Sequence, residues 1–386
     1  MHDGSFTSAS VTDRLAALFD AGSENMLSAD SGLRLTAAKI GSRQVLAAAT
    51  DPVLDKGVLG TAECTDLLRI VRLALETKRP LVLLIDSAGA RLDEGLAIQG
   101  ALRGLMTELL DASLAGLPMI ALLGRNVFGG ASMLAFAASK RCYAPGTLLA
   151  MSGPRVLESA GGGSLTTVRT SIGGLSRCRH GDAECLLDDT LPAYAAALHQ
   201  WVERLPTGPL PDTLDHERHL LGMRLGKTNP PATAHIVSSP ETGSLSVSGR
   251  ASVGAADALK FASMVDATQA PMDLYIDCVG HSLHMADETL ILSQYLVHLA
   301  RTLRRHAHRG QQVRLRIAGE ISGGIYIATA GAASSVDIVP GGSVRTLPQA
   351  SLNSILTRPD AAISNASADF AHYVELGVAD TVSALS

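Results

Sequence analysis

Two pairs of glycine turns recur along the chain, and what such turns present to a ligand is backbone. Ile85-Asp86-Ser87-Ala88-Gly89-Ala90 is answered by Ile276-Asp277-Cys278-Val279-Gly280-His281, and Phe128-Gly129-Gly130-Ala131 by Ser322-Gly323-Gly324-Ile325. In each half a helix-length stretch separates the first turn from the Gly-Gly pair, and Pro145-Gly146 and Pro340-Gly341 follow at matching offsets. That is an internal duplication. Glycine permits positive φ and close backbone approach, and a helix opening straight after the turn adds a partial positive charge. Two such turns facing one another aim N–H groups at one oxygen. This is the chemistry of an oxyanion hole, where loss of one donor costs about 10²–10³ in rate.

Each copy must then supply a strand, a tight turn, a helix, a second strand and a second turn opening another helix. In the first half the strand is Leu81 to Ile85, a continuous apolar run as expected when both faces are covered. The helix is Gly95 to Ala115, stopped by Gly116-Leu117-Pro118, and the second strand is Met119 to Leu123. In the second half the strands are Leu274 to Ile276 and Val313 to Ile317, separated by a long helix from Asp287 to His306. Helices are also predicted at Val11 to Phe19 within a lead-in running to about residue 30, and at Thr65 to Thr77, Leu191 to Glu203 and Asp257 to Met264. Short strands are predicted around Leu33-Arg34-Leu35 and Gln44 to Ala47. Leu205-Pro206-Thr207-Gly208-Pro209-Leu210-Pro211 reads as a linker, and the pattern stays weak through Asn229-Pro230-Pro231 to about Pro240. The predicted division is 1–205, a linker over 206–243, and 244–386, an α/β class of strand–helix–strand crossovers.

Composition bounds the partners. The 386 residues are 46% hydrophobic but only 3% aromatic, which suits helices laid closely on sheets. A net charge of -5 gives no electrostatic footprint for nucleic acid. No apolar run approaches the roughly 20 residues of a membrane span, and the first residues lack the pattern of a secretory signal. A cytoplasmic location is expected. The five cysteines, Cys64, Cys142, Cys178, Cys185 and Cys278, are scattered. They read as buried reduced thiols in preference to half a metal site at Cys178 and Cys185, and no metal is expected.

Asp86-Ser87-Ala88-Gly89-Ala90-Arg91-Leu92-Asp93-Glu94-Gly95, Phe128-Gly129-Gly130-Ala131 and Leu149-Ala150-Met151-Ser152-Gly153-Pro154 together resemble the carboxyltransferase branch of the crotonase (ClpP-like) superfamily. The pattern, with Gly173-Gly174, Gly181-Asp182 and Asp188-Asp189, is most similar to the β subunit of biotin-independent malonate decarboxylase, and the second half more faintly resembles its γ subunit. The resemblance implies tandem crotonase-like (ββα-superhelix) domains forming a pseudo-dimer with the active site between the halves. The reaction it implies is decarboxylation of a malonyl thioester to an acetyl thioester, with the enolate held by backbone oxyanion holes. The donors would be the amides of Gly89, Ala90, Gly129, Gly130 and Ala131 in the first half, and those of Gly280, His281, Gly323, Gly324 and Ile325 in the second. The acyl group would ride on coenzyme A or on the phosphopantetheine-type arm of an acyl carrier protein, with no covalently bound cofactor, and the protein would be a homo-oligomer.

Most of the other candidate residues have two readings. Arg91, with Asp93 and Glu94, is a substrate clamp or a solvated helix start. Ser87 is a candidate substrate contact. His281, at the place of Ala90, either protonates the enolate or is a hydrogen-bonded structural histidine. Tyr326 is a second donor or a packing residue. Arg304 and Arg305, in the cluster Arg301 to Arg309, meet coenzyme A phosphates or cap a helix C-terminus. Gly161-Gly162-Gly163-Ser164 is a mobile loop over the site or a plain linker. The segment Ala131 to Ala138 has no glutamate, which counts against hydration. Two alternatives remain: a biotin-dependent carboxyltransferase subunit acting on acyl-CoA, its biotin arriving on a partner, and a noncatalytic acyl-carrier-binding protein.

Overall fold

A computed structural model describes residues 4–181, 183–228, 230, 232–239, 243–248, 251–347 and 370–383; Asp182, Asn229, Pro231 and Pro240 of the sequence reading lie outside the described residues. The chain divides into two compact units, one of residues 1–90, 111–150 and 169–212, the other of residues 91–110, 151–168 and 213–386. Segments 91–110 and 151–168, which lie in the first half of the sequence, therefore fold with the second.

The first unit is built on one sheet. Its strands are β1 (Asn25–Ser28), β2 (Leu33–Ile40), β3 (Arg43–Thr50), β4 (Leu81–Ser87), β5 (Met119–Phe128), β6 (Lys140–Tyr143), β7 (Leu148–Ala150) and β8 (Glu184–Leu186). Their order is β1-β2-β3-β4-β5-β6-β8, with β7 paired to the far end of β5. The β1–β2 and β2–β3 pairs are antiparallel and every later pair is parallel. All seven residues of β4 are buried, as its apolar run requires. The helices Val11–Leu18 and Leu191–Glu203 close one face, where Phe6 stacks on Tyr194 with ring centroids 3.6 Å apart.

The second unit repeats that plan. Strands β9 (His235–Ser239), β10 (Ser244–Ser248), β11 (Met272–Ile276), β12 (Val313–Ile317), β14 (Ser335–Ile338) and β16 (Thr381–Val382) run in the order β9-β10-β11-β12-β14-β16. Again the first pair is antiparallel and the rest parallel. Strands β13 (Glu320–Ser322) and β15 (Ser343–Arg345) pair in parallel, as the end of β5 does with β7. The duplication thus reaches every strand of the first sheet except β1. This mixed α/β architecture is the crotonase-like carboxyltransferase fold.

Helix ends depart from the sequence pattern for identifiable reasons. Thr61–Thr77 starts four residues earlier than the apolar spacing indicates because the Glu63 carboxylate accepts the Gly60 N–H at 2.8 Å. Its counterpart Ala255–Ala267 starts early in the same way, Asp257 accepting the Gly254 N–H at 3.0 Å. The span 206–243 holds a full helix, Leu214–Thr228. Its sequence hides it because Arg224 is buried in place of an apolar residue, donating to Gln294 at 2.9 Å and to the Leu290 carbonyl at 3.0 Å. The helix expected over Asp287 to His306 is broken. Met285–Thr289 and Leu292–His308 meet at Ile291, whose φ of 66° and ψ of 68° are left-handed, an outlier for a β-branched residue. No helix among the described residues is long and apolar enough to cross a membrane.

Candidate active site

In the first unit the two turns lie at the carboxyl ends of adjacent parallel strands, β4 and β5, with Ser87 registered on Val127. Asp86 closes β4 from inside: its carboxylate pairs with the buried Arg14 at 3.1 Å and accepts the Asn126 N–H at 3.1 Å. Beyond it the chain turns at Gly89, φ 118°, whose carbonyl accepts the Leu59 N–H at 2.8 Å and whose own N–H donates to Ser87 Oγ at 3.2 Å. A side chain at Gly89 would start 3.6 Å from the Phe128 carbonyl, so the two turns are neighbours. Gly129 then takes φ 60° and ψ -132°, and the helix Gly130–Ala137 opens. The Gly129 N–H is held by the Ala150 carbonyl at 3.3 Å, while its carbonyl accepts Ser132 and Met133. Gly130 and Ala131 are the first helical residues, so their N–H groups have no intrahelical acceptor.

The second unit repeats this geometry with one change. Val253 N–H donates to the Gly280 carbonyl at 2.9 Å, as Leu59 does to Gly89, and the bridge of Val253 to His281 matches that of Leu59 to Ala90. Gly323, φ 59°, matches Gly129 and opens the helix Gly323–Ala330. The change is His281. Its Nδ1 accepts the Gly324 N–H at 3.2 Å, so the amide expected to face an oxyanion faces an imidazole. A backbone N–H can only donate, so Nδ1 carries the lone pair and the ring proton sits on Nε2. Nε2 lies 3.1 Å from Ser152 Oγ and donates to it. Burial pushes the imidazole down to about 4, keeping the ring neutral.

Two residues complete this cluster that sequence reasoning did not single out. Ser152 is one residue of the segment Leu149 to Pro154, and nothing beside it in the sequence marks it as a site residue. Glu288 falls inside one long helix in the sequence pattern, whereas the structure buries it in the short helix Met285–Thr289, separate from Leu292–His308. The buried Glu288 carboxylate accepts the Met151 N–H at 3.1 Å and the Ser152 N–H at 3.4 Å.

Other expected contacts have protein partners. Ser87 Oγ holds the Gly89 turn. Arg91 pairs with Glu94 at 3.2 Å. Tyr326 is buried and its hydroxyl donates to the Val378 carbonyl at 2.7 Å. Arg305 pairs with Asp215 at 2.9 Å and Asp266 at 3.1 Å, which removes it from the set of phosphate contacts, while Arg304 is half-buried. Gly162 packs against the Leu157 carbonyl and Met285, leaving no room for a side chain, so the glycine run is a seated turn. Cys64, Cys142 and Cys278 are buried, but Cys178 and Cys185 are only half-buried. Among the described residues no group of three His, Cys, Asp or Glu side chains could hold a metal.

Residues 3–220, more than half of the chain, match the family model described as the carboxyl transferase domain. The biotin-dependent acetyl-/propionyl-coenzyme A carboxylase beta6 subunit of Mycobacterium tuberculosis is 28% identical over 185 residues, 47% of this chain and 38% of that protein. The propionyl-CoA carboxylase beta chain of Rhodococcus erythropolis is 30% identical over 163 residues, 42% of this chain and 34% of that protein. The chain thus spans well under half the length of these curated relatives. A Pseudomonas malonate decarboxylase hetero-tetramer, solved in complex with malonate, superposes with a TM-score of 0.50 at 23% identity, covering 58% of this chain and 92% of that one.

Proposed function

The chain belongs to the carboxyl transferase domain family, and from that premise we propose that it removes the carboxyl group of a malonyl thioester to leave an acetyl thioester, without biotin. The observation that carries this reading is the pair of adjacent turns at Gly89-Ala90 and Gly129-Gly130, set at the ends of neighbouring parallel strands and followed by a helix whose first N–H groups lack intrahelical acceptors.

The chemistry needs little else. The bond between the α-carbon and the carboxylate breaks, its electron pair moves into the thioester as an enolate, carbon dioxide leaves, and a proton from water returns to the α-carbon. The barrier is the charge developing on the thioester oxygen. Preorganised amide donors at a helix start oppose that charge at no reorganisation cost, and they bind it more strongly than the neutral carbonyl, so the stabilisation falls on the transition state. The thioester is carried by coenzyme A or by the phosphopantetheine-type arm of a carrier protein.

The Mycobacterium tuberculosis relative, named as a subunit of a biotin-dependent carboxylase, favours a second reading, in which the same enolate is formed or consumed while the carboxyl group passes to biotin on a partner. Mass spectrometry of the protein incubated with malonyl-CoA, or with a malonyl carrier protein, in the presence of avidin separates the two. Acetyl thioester formed under avidin supports the decarboxylase. Activity that appears only with a biotinylated partner and without avidin replaces it with the transferase.

A further inference from the structure

Gly324, His281 and Ser152 form a hydrogen-bond chain that runs in one direction. The Gly324 N–H donates to Nδ1 at 3.2 Å, which fixes the proton on Nε2, and Nε2–H donates to Ser152 Oγ at 3.1 Å. The serine oxygen is therefore an acceptor within the protein. Its own proton has no acceptor among the described residues, although Ser152 is only 6% exposed and His281 behind it 3%. A buried hydroxyl proton left without a partner is costly and calls for a ligand or a functional reason. The backbone bearing it is anchored independently, since Glu288 holds the N–H groups of both Met151 and Ser152. Glu288 lies in the short helix Met285–Thr289, set off from Leu292–His308 by the left-handed residue Ile291, and backbone strain of this kind is kept where surrounding structure over-determines it.

From this we propose that Ser152 presents a fixed O–H donor to a carboxylate oxygen of the substrate, with His281 as its positioning residue and Gly324 as the anchor of the ring. The usual alternative for a serine beside a histidine is a nucleophile and its base. It is excluded by the direction of the chain: the nitrogen facing Ser152 carries the proton, and the other lone pair is already taken by Gly324. A single bond from a neutral donor also suits a carboxylate that must leave as neutral carbon dioxide, because a cation there would favour the ground state. That the carboxylate is a malonyl one rests on the function proposed above; the donor geometry does not.

The test uses the full chain labelled with ¹⁵N-histidine, with the His281 resonances assigned through His281→Gln and sodium malonate as the probe. At pH 7 His281 should show the Nε2–H tautomer. Malonate should shift its Nε2 signal in the wild-type protein and not in Ser152→Ala or Ser152→Cys, the second variant guarding against misfolding of the first. With malonyl-CoA, both serine variants should raise KM roughly tenfold with kcat within about threefold, since a bond to the leaving carboxylate is made in the ground state and is not strengthened in the transition state. His281→Gln, which keeps an acceptor and a donor on one planar group, should retain most of the affinity that His281→Leu loses. A protonated or Nδ1–H ring, no malonate shift, a shift that survives in the serine variants, or covalent labelling of Ser152 by a fluorophosphonate would overturn the proposal. A wild-type protein that fails to turn over malonyl-CoA yet shows the Ser152-dependent shift removes the decarboxylase reading and leaves this one standing.

Discussion

Gly124 on β5 lies against the carboxylate of Asp86 on β4 so closely that a methyl group at 124 would overlap it, and Gly319 stands in the same relation to Asp277 in the second unit. The carboxylate caps the strand end that leads into the first turn of each copy. In the first unit it is also buried in an ion pair with Arg14. Gly124→Ala should therefore act through electrostatics, driving Asp86 off Arg14 and leaving two buried charges mispaired. Breaking such a pair costs about 3–5 kcal/mol. Urea denaturation should show a loss of that order, while Gly146→Ala, which meets nothing within 4 Å, should change stability by less than about 0.5 kcal/mol. Equal midpoints for the two variants would refute the strand-end role of Asp86.

Gly130→Pro should separate catalysis from folding. Residue 130 is the first of its helix, a position whose backbone proline favours and where the missing N–H had no intrahelical acceptor. The only group removed is the donor assigned to the enolate. Turnover of malonyl-CoA should fall about 10²–10³-fold with little change in the melting temperature. A variant that stays folded and keeps its rate would take Gly130 out of the oxyanion hole.

Both Gly-Gly turns and the repeat that contains them were legible in the chain because glycine at a left-handed position has few substitutes. Gly129 and Gly323 take φ values of 60° and 59° in the two copies, and Gly89 and Gly280 take 118° and 147°. The β4 run was legible because burial on both faces leaves no polar position. What was hidden depended on tertiary partners. Glu288 reads as an ordinary helical glutamate until the fold sets it against the amides of Met151 and Ser152. Ser152 reads as a loop residue until His281, over a hundred positions away, orients it. Arg305 reads as a free cation because Asp215 and Asp266, which neutralise it, lie far off in sequence.

Two acid transitions should be separable in the second unit. Burial holds the His281 imidazole at about 4 against 6.5 in the unfolded chain. The folded state thus binds fewer protons, and its contribution is full above about pH 6.5 and lost progressively towards pH 4. Burial alone would raise the Glu217 carboxyl, but Arg301 at 3.1 Å and His298 at 3.0 Å hold it down to about 2, against 4.5 unfolded. That contribution is present above about pH 4.5 and lost as the pH falls towards 2. In urea midpoints measured from pH 3 to 8, His281→Gln should flatten the upper window and Glu217→Gln the lower. An unchanged upper slope in His281→Gln would mean that the ring is already charged when folded.

Gly129 and Gly323 share a φ near 60°, so alanine at either should meet backbone strain, on the order of 1–3 kcal/mol. At 323 the surroundings add to it. A methyl group at 323 would sit 2.9 Å from His281 Nδ1, in the space through which the Gly324 N–H reaches the ring. Gly323→Ala should therefore cost more than Gly129→Ala, and the excess should be a property of the imidazole. In a double-mutant cycle the comparison becomes internal: Gly323→Ala made on a His281→Ala background should lose the excess and cost what Gly129→Ala costs. If the cost at 323 is the same with and without His281, the ring yields freely, and its hold on Ser152 is looser than a 3.2 Å anchor implies.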